Sequence, residues 1–240
     1  MLLPGATESW HFEAKAALRA VVRHLALILL LSLPAMAVFW HAWDGHLGST
    51  ATCACSDAGQ EIWFMAWPAY ALSHLSNPFF SSAVWSPNGV NLLSNASAPL
   101  IGITMAPLTW LFGPVVTTNV ALTLTPGLNA WASWIGFRQF VRWRWAPWPA
   151  SLLFGYSPFV MSNLRQGHLS IAFLVIPPLI LAVLYEILWR QKWRYWVSGI
   201  SLGALVAAQA LISAEVLAMT ALIVAIVLVF AALVAGPRWY

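Results

Sequence analysis

Long apolar runs separated by short basic connections are the feature that most constrains the fold of this sequence. A helix needs roughly 20 apolar residues to cross the hydrocarbon core of a membrane. Only 8% of the residues are charged and 61% are hydrophobic, whereas about a quarter of a soluble domain is charged. We therefore predict an all-α integral membrane protein, a polytopic bundle of about six transmembrane helices. The predicted spans are residues 25–43, 115–137, 146–159, 170–189, 197–213 and 216–235.

The basic residues predict the orientation of these spans. Residues 99–114 form a further apolar segment, but it is short and interrupted by Pro107. If it crossed the membrane, the basic clusters at 138–144 and 190–194 would lie outside, against the positive-inside rule. As an interfacial segment it leaves all but one of the eleven Lys and Arg residues inside. We therefore expect both termini in the cytoplasm, with residues 1–24 as the cytoplasmic N-terminus.

Residues 44–114 then form one long outer loop inside a single transmembrane domain, residues 1–240, and five further spans follow over 115–235. Two semi-apolar stretches of the loop, 61–75 and 99–112, are predicted to be helices along the membrane surface. We favour the aromatic belt of the membrane interface over sugar stacking as the setting of the loop's tryptophans. These residues are Trp63, Trp67, Trp85 and Trp110.

Ionisable residues on the predicted outer face are functional candidates, because charge is costly at a membrane. Asp57 and Glu61 are four residues apart, so a helix that begins near Ser56 places both carboxylates on one face. Either the two carboxylates are a functional pair, or they belong to an ordinary helix start in which Ser56 or Asp57 is the N-cap. Glu215, at the outer end of the fifth span, faces either the same site or water.

Arg165 and His168 form the only basic spot on this outer face. A guanidinium can bind a phosphate through two hydrogen bonds, and an imidazole can add a donor or carry a proton. The alternative is a solvated loop in which Arg165 pairs with Asp57 or with lipid headgroups. The sequence contains no Walker, dinucleotide-binding or zinc-protease motif, and its basic pI does not indicate nucleic acid. Cys53 and Cys55 are too few for a structural zinc site and are predicted to form a local disulfide or to be free thiols.

In this order, these features resemble the N-terminal half of the membrane-embedded C-type (GT-C) glycosyltransferases, which use polyprenyl-phosphate-linked sugars. The resemblance is carried by an acidic outer-loop residue, an aromatic helix after it and a second surface helix. Two short motifs, one on each side of the next outer connection, add to it. The corresponding segments are Ser56-Asp57, residues 61–67, residues 99–112, Tyr156-Ser157-Pro158-Phe159 and Gln166-Gly167-His168-Leu169.

The resemblance implies an enzyme that transfers a hexosyl or pentosyl group from a lipid-linked donor to an acceptor hydroxyl at the outer face. Asp57 would be the catalytic general base, and Arg165 and His168 would bind the donor phosphate. Glu61 and Glu215 would be auxiliary. A divalent metal, Mg²⁺ or Mn²⁺, stays open as a cofactor, although many members carry paired acids where this chain has Asp57 alone.

The resemblance also implies a cell-envelope protein of the bacterial plasma membrane whose partners are the lipid-linked donor and membrane lipids, not nucleic acid. The family's later spans would lie beyond residue 240, so the chain is expected to be incomplete at its C-terminus. Two other functions stay open. One is a non-catalytic scaffold or lipid-binding subunit that a partner chain completes, and the other is a small transporter.

Overall fold

The computed structural model describes residues 6–53 and 56–235, and these are mostly helical. The α-helices are α1 (Ala6–Trp43), α2 (Ser56–Ser73), α3 (Pro99–Thr104), α4 (Ala106–Phe137), α5 (Pro147–Gly155), α6 (Pro158–Arg165), α7 (Leu169–Ala172), α8 (Ile176–Tyr185), α9 (Tyr195–Ile212) and α10 (Ala214–Ala235). Two strands, β1 (Phe80–Ser81) and β2 (Val90–Asn91), pair antiparallel between α2 and α3. A 3₁₀ turn, Leu92–Ser94, follows β2, and α8 continues as a π-helical turn over Glu186–Arg190.

Five helices in the described part of the chain are long and apolar enough to cross a membrane. They are Lys15–Trp43, Ala106–Phe137, Leu169–Arg190, Tyr195–Ile212 and Ala214–Val234. Each overlaps one of the spans that the hydropathy predicts. The chain is therefore an all-α bundle with the helices of a membrane protein.

The remaining predicted span, residues 146–159, is divided between two short helices. α5 ends at Gly155, and α6 begins at Pro158 after Ser157, whose hydroxyl accepts a hydrogen bond from the Val160 N–H. Serine before proline is a strong helix start, because the hydroxyl caps a free N–H and proline needs no hydrogen bond at the first position. Hydropathy therefore predicts a single helix for this segment, whereas the helix start at Ser157 and Pro158 divides it into two.

Helices α1 and α4 are antiparallel and define the two ends of the bundle. The Asn119 side chain donates to the carbonyls of Leu47 and Thr50, just beyond α1, at 2.8 Å each. The Trp131 indole donates to the ring of His24, in the first half of α1, at 3.1 Å. We call the end at Asn119, which carries residues 44–105, the loop end, and the opposite end the basic end.

The two basic connections of the second half of the chain meet at the basic end. The rings of Phe140 and Tyr185 lie 4.7 Å apart, which joins the connection after α4 to the C-terminal end of α8. The buried Glu186 carboxylate accepts the N–H groups of Lys192 and Trp193 at 2.6 and 2.8 Å and so fixes the second connection. The clusters at 138–144 and 190–194 thus share one end, as their charge predicts.

The loop end contains the two segments that are predicted to be surface helices. The first, residues 61–75, is part of α2, which begins five residues earlier, at Ser56. The second, residues 99–112, is α3 followed by the first turns of α4. α4 has a kink at Gly113, whose φ of 85° is accessible to glycine and strained for other residues. The predicted boundary between loop and span, at residue 114, coincides with this kink.

Asn129 joins α4 to the break between α7 and α8. It is fully buried, and its amide donates to the Ala172 carbonyl and accepts from the Leu174 N–H at 2.8 Å each. These two backbone groups lie where the chain leaves one helix and begins the next, so neither has a partner within a helix. The asparagine side chain therefore replaces the missing backbone hydrogen bonds.

Asn129→Ala is expected to lower the free energy of unfolding by about 1–3 kcal/mol, because it leaves two buried backbone groups without partners. Thermal unfolding of the purified chain in detergent, followed by tryptophan fluorescence, measures the effect. Asn88→Ala, at an exposed loop position, is the control and should leave the midpoint unchanged. Equal midpoints for the two variants would contradict the role given to Asn129.

Candidate functional site

The first turn of α2 presents two carboxyl groups in different surroundings. The Asp57 side chain is 51% exposed, whereas Glu61, one turn later on the same face, is only 5% exposed. An acidic residue near a helix N-terminus interacts favourably with the helix dipole. The chain thus holds one accessible and one buried carboxyl at the loop end of the bundle.

A turn from the second half of the chain brings His168 to Asp57. The Nε2 atom of His168 lies 2.9 Å from the Oδ2 atom of Asp57, although 111 positions separate the two residues. His168 follows α6 and a turn at Gly167, whose φ is +84°. The contact joins the outer-loop acid and the basic spot that the sequence singles out.

Asn163 holds the other side of the His168 ring. Its Oδ1 atom lies 3.3 Å from the Nδ1 atom of His168, while its Nδ2 atom donates to the Phe159 carbonyl at 2.9 Å. The second bond fixes the amide with its oxygen toward the imidazole. Both ring nitrogens therefore face acceptor oxygens, Asp57 on one side and Asn163 on the other.

Burial changes the protonation of Glu61. Loss of solvent raises the pKa of Glu61 to about 8, a backbone hydrogen bond from Leu169 lowers it in part, and the nearby charge of Asp57 raises it again. Glu61 is therefore predominantly a neutral acid at pH 7. Its Oε2 atom is buried and has no hydrogen-bond partner among the described residues. Glu61 thus adds little negative charge beside Asp57 at pH 7.

Gly167 sets the close approach between the turn and α2. A Cβ atom at this position would lie 3.0 Å from the Cα atom of Ala58, the residue after Asp57. Its positive φ is also unfavourable for any residue with a side chain. Glycine therefore permits the turn to pack against α2 closely enough for His168 to reach Asp57.

Gly167→Ala is expected to lower the free energy of unfolding by about 1–2 kcal/mol through backbone strain. Gly59→Ala is a matched control on α2, because open space surrounds that position and alanine favours a helix. Thermal unfolding of the two variants gives the comparison. A Gly167→Ala chain as stable as the Gly59→Ala chain would show that the turn does not need glycine.

The structure separates Arg165 from the Asp57–His168 pair. Arg165 is exposed in the last turn of α6, and neither ion pair found among the described residues includes it. A cation in this position interacts favourably with the C-terminal end of the helix dipole. Its charge also stays accessible to an anionic ligand at the loop end.

Glu215 lies on a separate cavity. It is exposed in the first turn of α10 and lines a space of about 310 Å³ together with Asn95, Ser170 and Ser213. Ser170 follows Leu169, whose backbone contacts Glu61. The structure thus places Glu215 beside the turn that carries His168, in a cavity that the Asp57 side chain does not line.

The loop-end residues that the structure describes do not form a ligand set for Mg²⁺ or Mn²⁺. Within the described ranges, no group of three or more His, Cys, Asp or Glu side chains is arranged to hold a metal ion. His168 contacts Asp57 directly, and Glu61 is mostly protonated at pH 7. Cys53 is disulfide-bonded, and Cys55 lies outside the described residues. We therefore assign no step to a metal.

Asn163 is the site residue that sequence reasoning does not find. An ionisable group at a membrane stands out in a sequence because its charge is costly there, and an amide in a polar connection carries no comparable signal. Its position five residues before His168, in the same connection, is the one clue that the sequence offers.

Comparisons of this chain with protein-family models, with curated proteins and with solved structures found no match.

Proposed function

We propose that this protein is a membrane glycosyltransferase of the GT-C type. It transfers a hexosyl or pentosyl group from a polyprenyl-phosphate donor to an acceptor hydroxyl at the loop end, on the outer face of the bacterial plasma membrane. The contact between Asp57 and His168 is the observation that carries this proposal. It unites an accessible carboxylate with a histidine from a distant turn, beside a buried acid, in a chain built of membrane-length helices.

In the proposed reaction, Asp57 accepts the proton of the acceptor hydroxyl as the oxygen attacks the anomeric carbon. The bond between that carbon and the phosphate oxygen breaks, and its electron pair leaves with the polyprenyl phosphate. His168 orients the Asp57 carboxylate through its 2.9 Å contact. Neutral Glu61 keeps a second negative charge away from the base, so Asp57 does not have to share its proton with a neighbouring carboxylate.

The leaving phosphate needs a positive partner, because its negative charge grows as the bond breaks. Arg165 is the exposed guanidinium nearest in sequence to His168, and we assign it to that phosphate. This assignment changes the role of His168 from phosphate ligand to positioning residue, because its two ring nitrogens already face Asp57 and Asn163.

The polyprenyl chain of the donor requires an apolar surface at the same end of the bundle. An apolar cavity of about 240 Å³ lies between α1 and α4 near the loop end, lined in part by Met36, Trp40, Val120 and Leu124. We assign the first isoprene units to this cavity. Lipid, or a partner chain that completes the fold, would cover the largely exposed apolar surfaces of α9 and α10.

Transfer from a radiolabelled polyprenyl-phosphate sugar pool to membrane acceptors tests the proposal. We expect labelled product in vesicles that contain the wild-type chain and none with Asp57→Asn at equal expression. Equal product from both chains would contradict the role of Asp57. No product from either would favour a scaffold that needs a partner chain, and sugar counterflow without a glycosidic product would identify a transporter.

A further inference from the structure

Three cavities lie in a row that begins on α2, and each shares one lining residue with the next. The first, of about 560 Å³, is lined by Trp63, Trp67 and Tyr70 on α2 and by serines of the following segment. The second, of about 280 Å³, also contains Trp63 and extends to Asn95. Asn95 also lines the third, the Glu215 cavity of about 310 Å³. We call this row of cavities the α2 groove.

The size of the α2 groove fits a chain of several units better than a single small molecule. One small-molecule site has a volume of about 300–1,000 Å³, and each cavity in the row is close to or within this range. The row begins beside the β-hairpin and ends at the α9–α10 turn. An elongated ligand could therefore occupy all three cavities at once.

One end of the α2 groove is aromatic. Trp63 stacks on Trp67 with ring centroids 5.7 Å apart, Trp67 contacts Tyr70 at 5.7 Å, and Tyr70 stacks on His74 at 4.0 Å. The hydroxyls of Ser76 and Ser82 belong to the same cavity. Flat aromatic rings beside hydroxyl groups suit a sugar, which has apolar C–H faces and a hydroxylated edge.

The other end of the α2 groove is polar but nearly uncharged. Asn95, Ser170 and Ser213 offer hydrogen-bonding groups there, and among the residues that the structure describes only Glu215 brings a charge to the lining of the three cavities. A polyanion would meet no cation among these lining residues, whereas hydroxyl groups can donate to Glu215. The lining therefore favours an uncharged polyhydroxyl ligand.

The middle of the α2 groove adjoins the candidate site. Gln60, which lines the second cavity, follows Asp57 by three residues on α2, and residues three apart are neighbours on one face of a helix. A ligand in the second cavity would thus lie one turn of α2 beyond Asp57, although Asp57 itself lines none of the three cavities.

We infer that the α2 groove binds an uncharged glycan chain of several sugar units, with its rings on Trp63 and Trp67 and its hydroxyls on Asn95 and Glu215. The identification of this glycan as the acceptor rests on the proposed function. The binding of the glycan is independent of that function, because binding needs neither a donor nor catalysis. The tryptophans of α2 would then form a sugar-stacking surface, in contrast to the membrane belt that the sequence favours.

Calorimetric titration of the full chain in nanodiscs, without donor, tests the inference. The probes are linear chains of one to six units, α- and β-linked, built of hexoses or pentoses. At least one series should bind more tightly as the chain lengthens, by tenfold or more from one unit to six, roughly what one further stacked ring contributes. No binding by any series, or affinity independent of length, would overturn the inference.

Two tryptophan variants make the test specific. Trp63→Ala should weaken binding of the longest chain roughly tenfold, and Trp63→Phe should retain most of the affinity because it keeps an aromatic ring. Trp85→Ala is the control, since Trp85 is exposed in the same loop and lines none of the three cavities. Equal affinity of the Trp63→Ala and Trp85→Ala chains would overturn the inference.

Failure of this inference differs from failure of the proposed function. If the chain transfers sugar in a manner that depends on Asp57 but binds no glycan, the proposed transferase activity stands and the α2 groove is not its acceptor site. If glycan binding depends on Trp63 but the wild-type chain transfers no sugar, the α2 groove is supported as a glycan-binding site and the proposed transferase activity is contradicted.

Discussion

Asp57→Asn is expected to lower the rate of sugar transfer by roughly 10²–10⁴-fold, the usual contribution of a general base. The amide has nearly the same shape as the carboxylate and can still contact His168, but it cannot take the proton of an acceptor hydroxyl. The loss should therefore appear in the chemical step, with little change in the binding of donor or acceptor. Single-turnover transfer from a labelled polyprenyl-phosphate sugar, in vesicles of matched protein content, measures it.

Asp44→Asn is the matched control for this loss. Asp44 is the other exposed aspartate at the loop end, just beyond α1, and the same change there should leave the transfer rate within about twofold of wild type, as expected of a surface position. The unfolding midpoints of both variants should match that of the wild-type chain. Full transfer activity in a well-folded Asp57→Asn chain would contradict the proposed mechanism.

The sequence predicts the helices and the position of Asp57, but not the pairing of Asp57 with His168. Hydropathy finds the long helices because their composition alone makes them apolar. The spacing of four between Asp57 and Glu61 correctly predicts a shared helix face. It does not show that one carboxyl is exposed and the other buried, because burial depends on the turn at Leu169, a hundred residues away in the chain.

Arg165 and His168 illustrate the same limit. Three positions apart, they suggest one shared basic site, but α6 ends between them and the chain turns at Gly167. His168 consequently contacts Asp57, while Arg165 stays on the surface. The close approach of Gly167 to Ala58 contributes to this division, and a single sequence contains no signal for such a tertiary contact.

The role of the uncharged polar residues inside α4 is a second feature that does not follow from the sequence. Asn119 and Asn129 are buried there, and each bonds backbone groups of a segment far away in the sequence. Hydropathy treats an isolated asparagine as a small interruption of an apolar run. In the bundle, these amides attach the outer loop and the α7–α8 break to α4, so they fix where the turn with His168 lies.

The stability of the protein is expected to fall as the pH rises, because of Glu61. In the unfolded chain this carboxyl has its ordinary pKa of 4.5, whereas burial raises the pKa in the folded protein to about 8. The folded state therefore binds the proton more tightly, and its extra stability is complete below about pH 4.5 and lost as the pH rises through 8. The full difference is on the order of 5 kcal/mol.

Glu61→Gln should remove this pH dependence, because glutamine keeps the shape of the neutral acid and does not ionise. The unfolding midpoint of the wild-type chain, followed by tryptophan fluorescence from pH 5 to pH 9, should decline steeply, while that of Glu61→Gln should stay nearly level and exceed it at pH 9. Glu215→Gln, at an exposed carboxyl of the same end, should follow the wild-type curve. A wild-type midpoint that does not change over this range would mean that Glu61 is ionised in the folded protein. Asp57 would then share its face of α2 with a second negative charge, and the proposed general base would have a carboxylate as its neighbour.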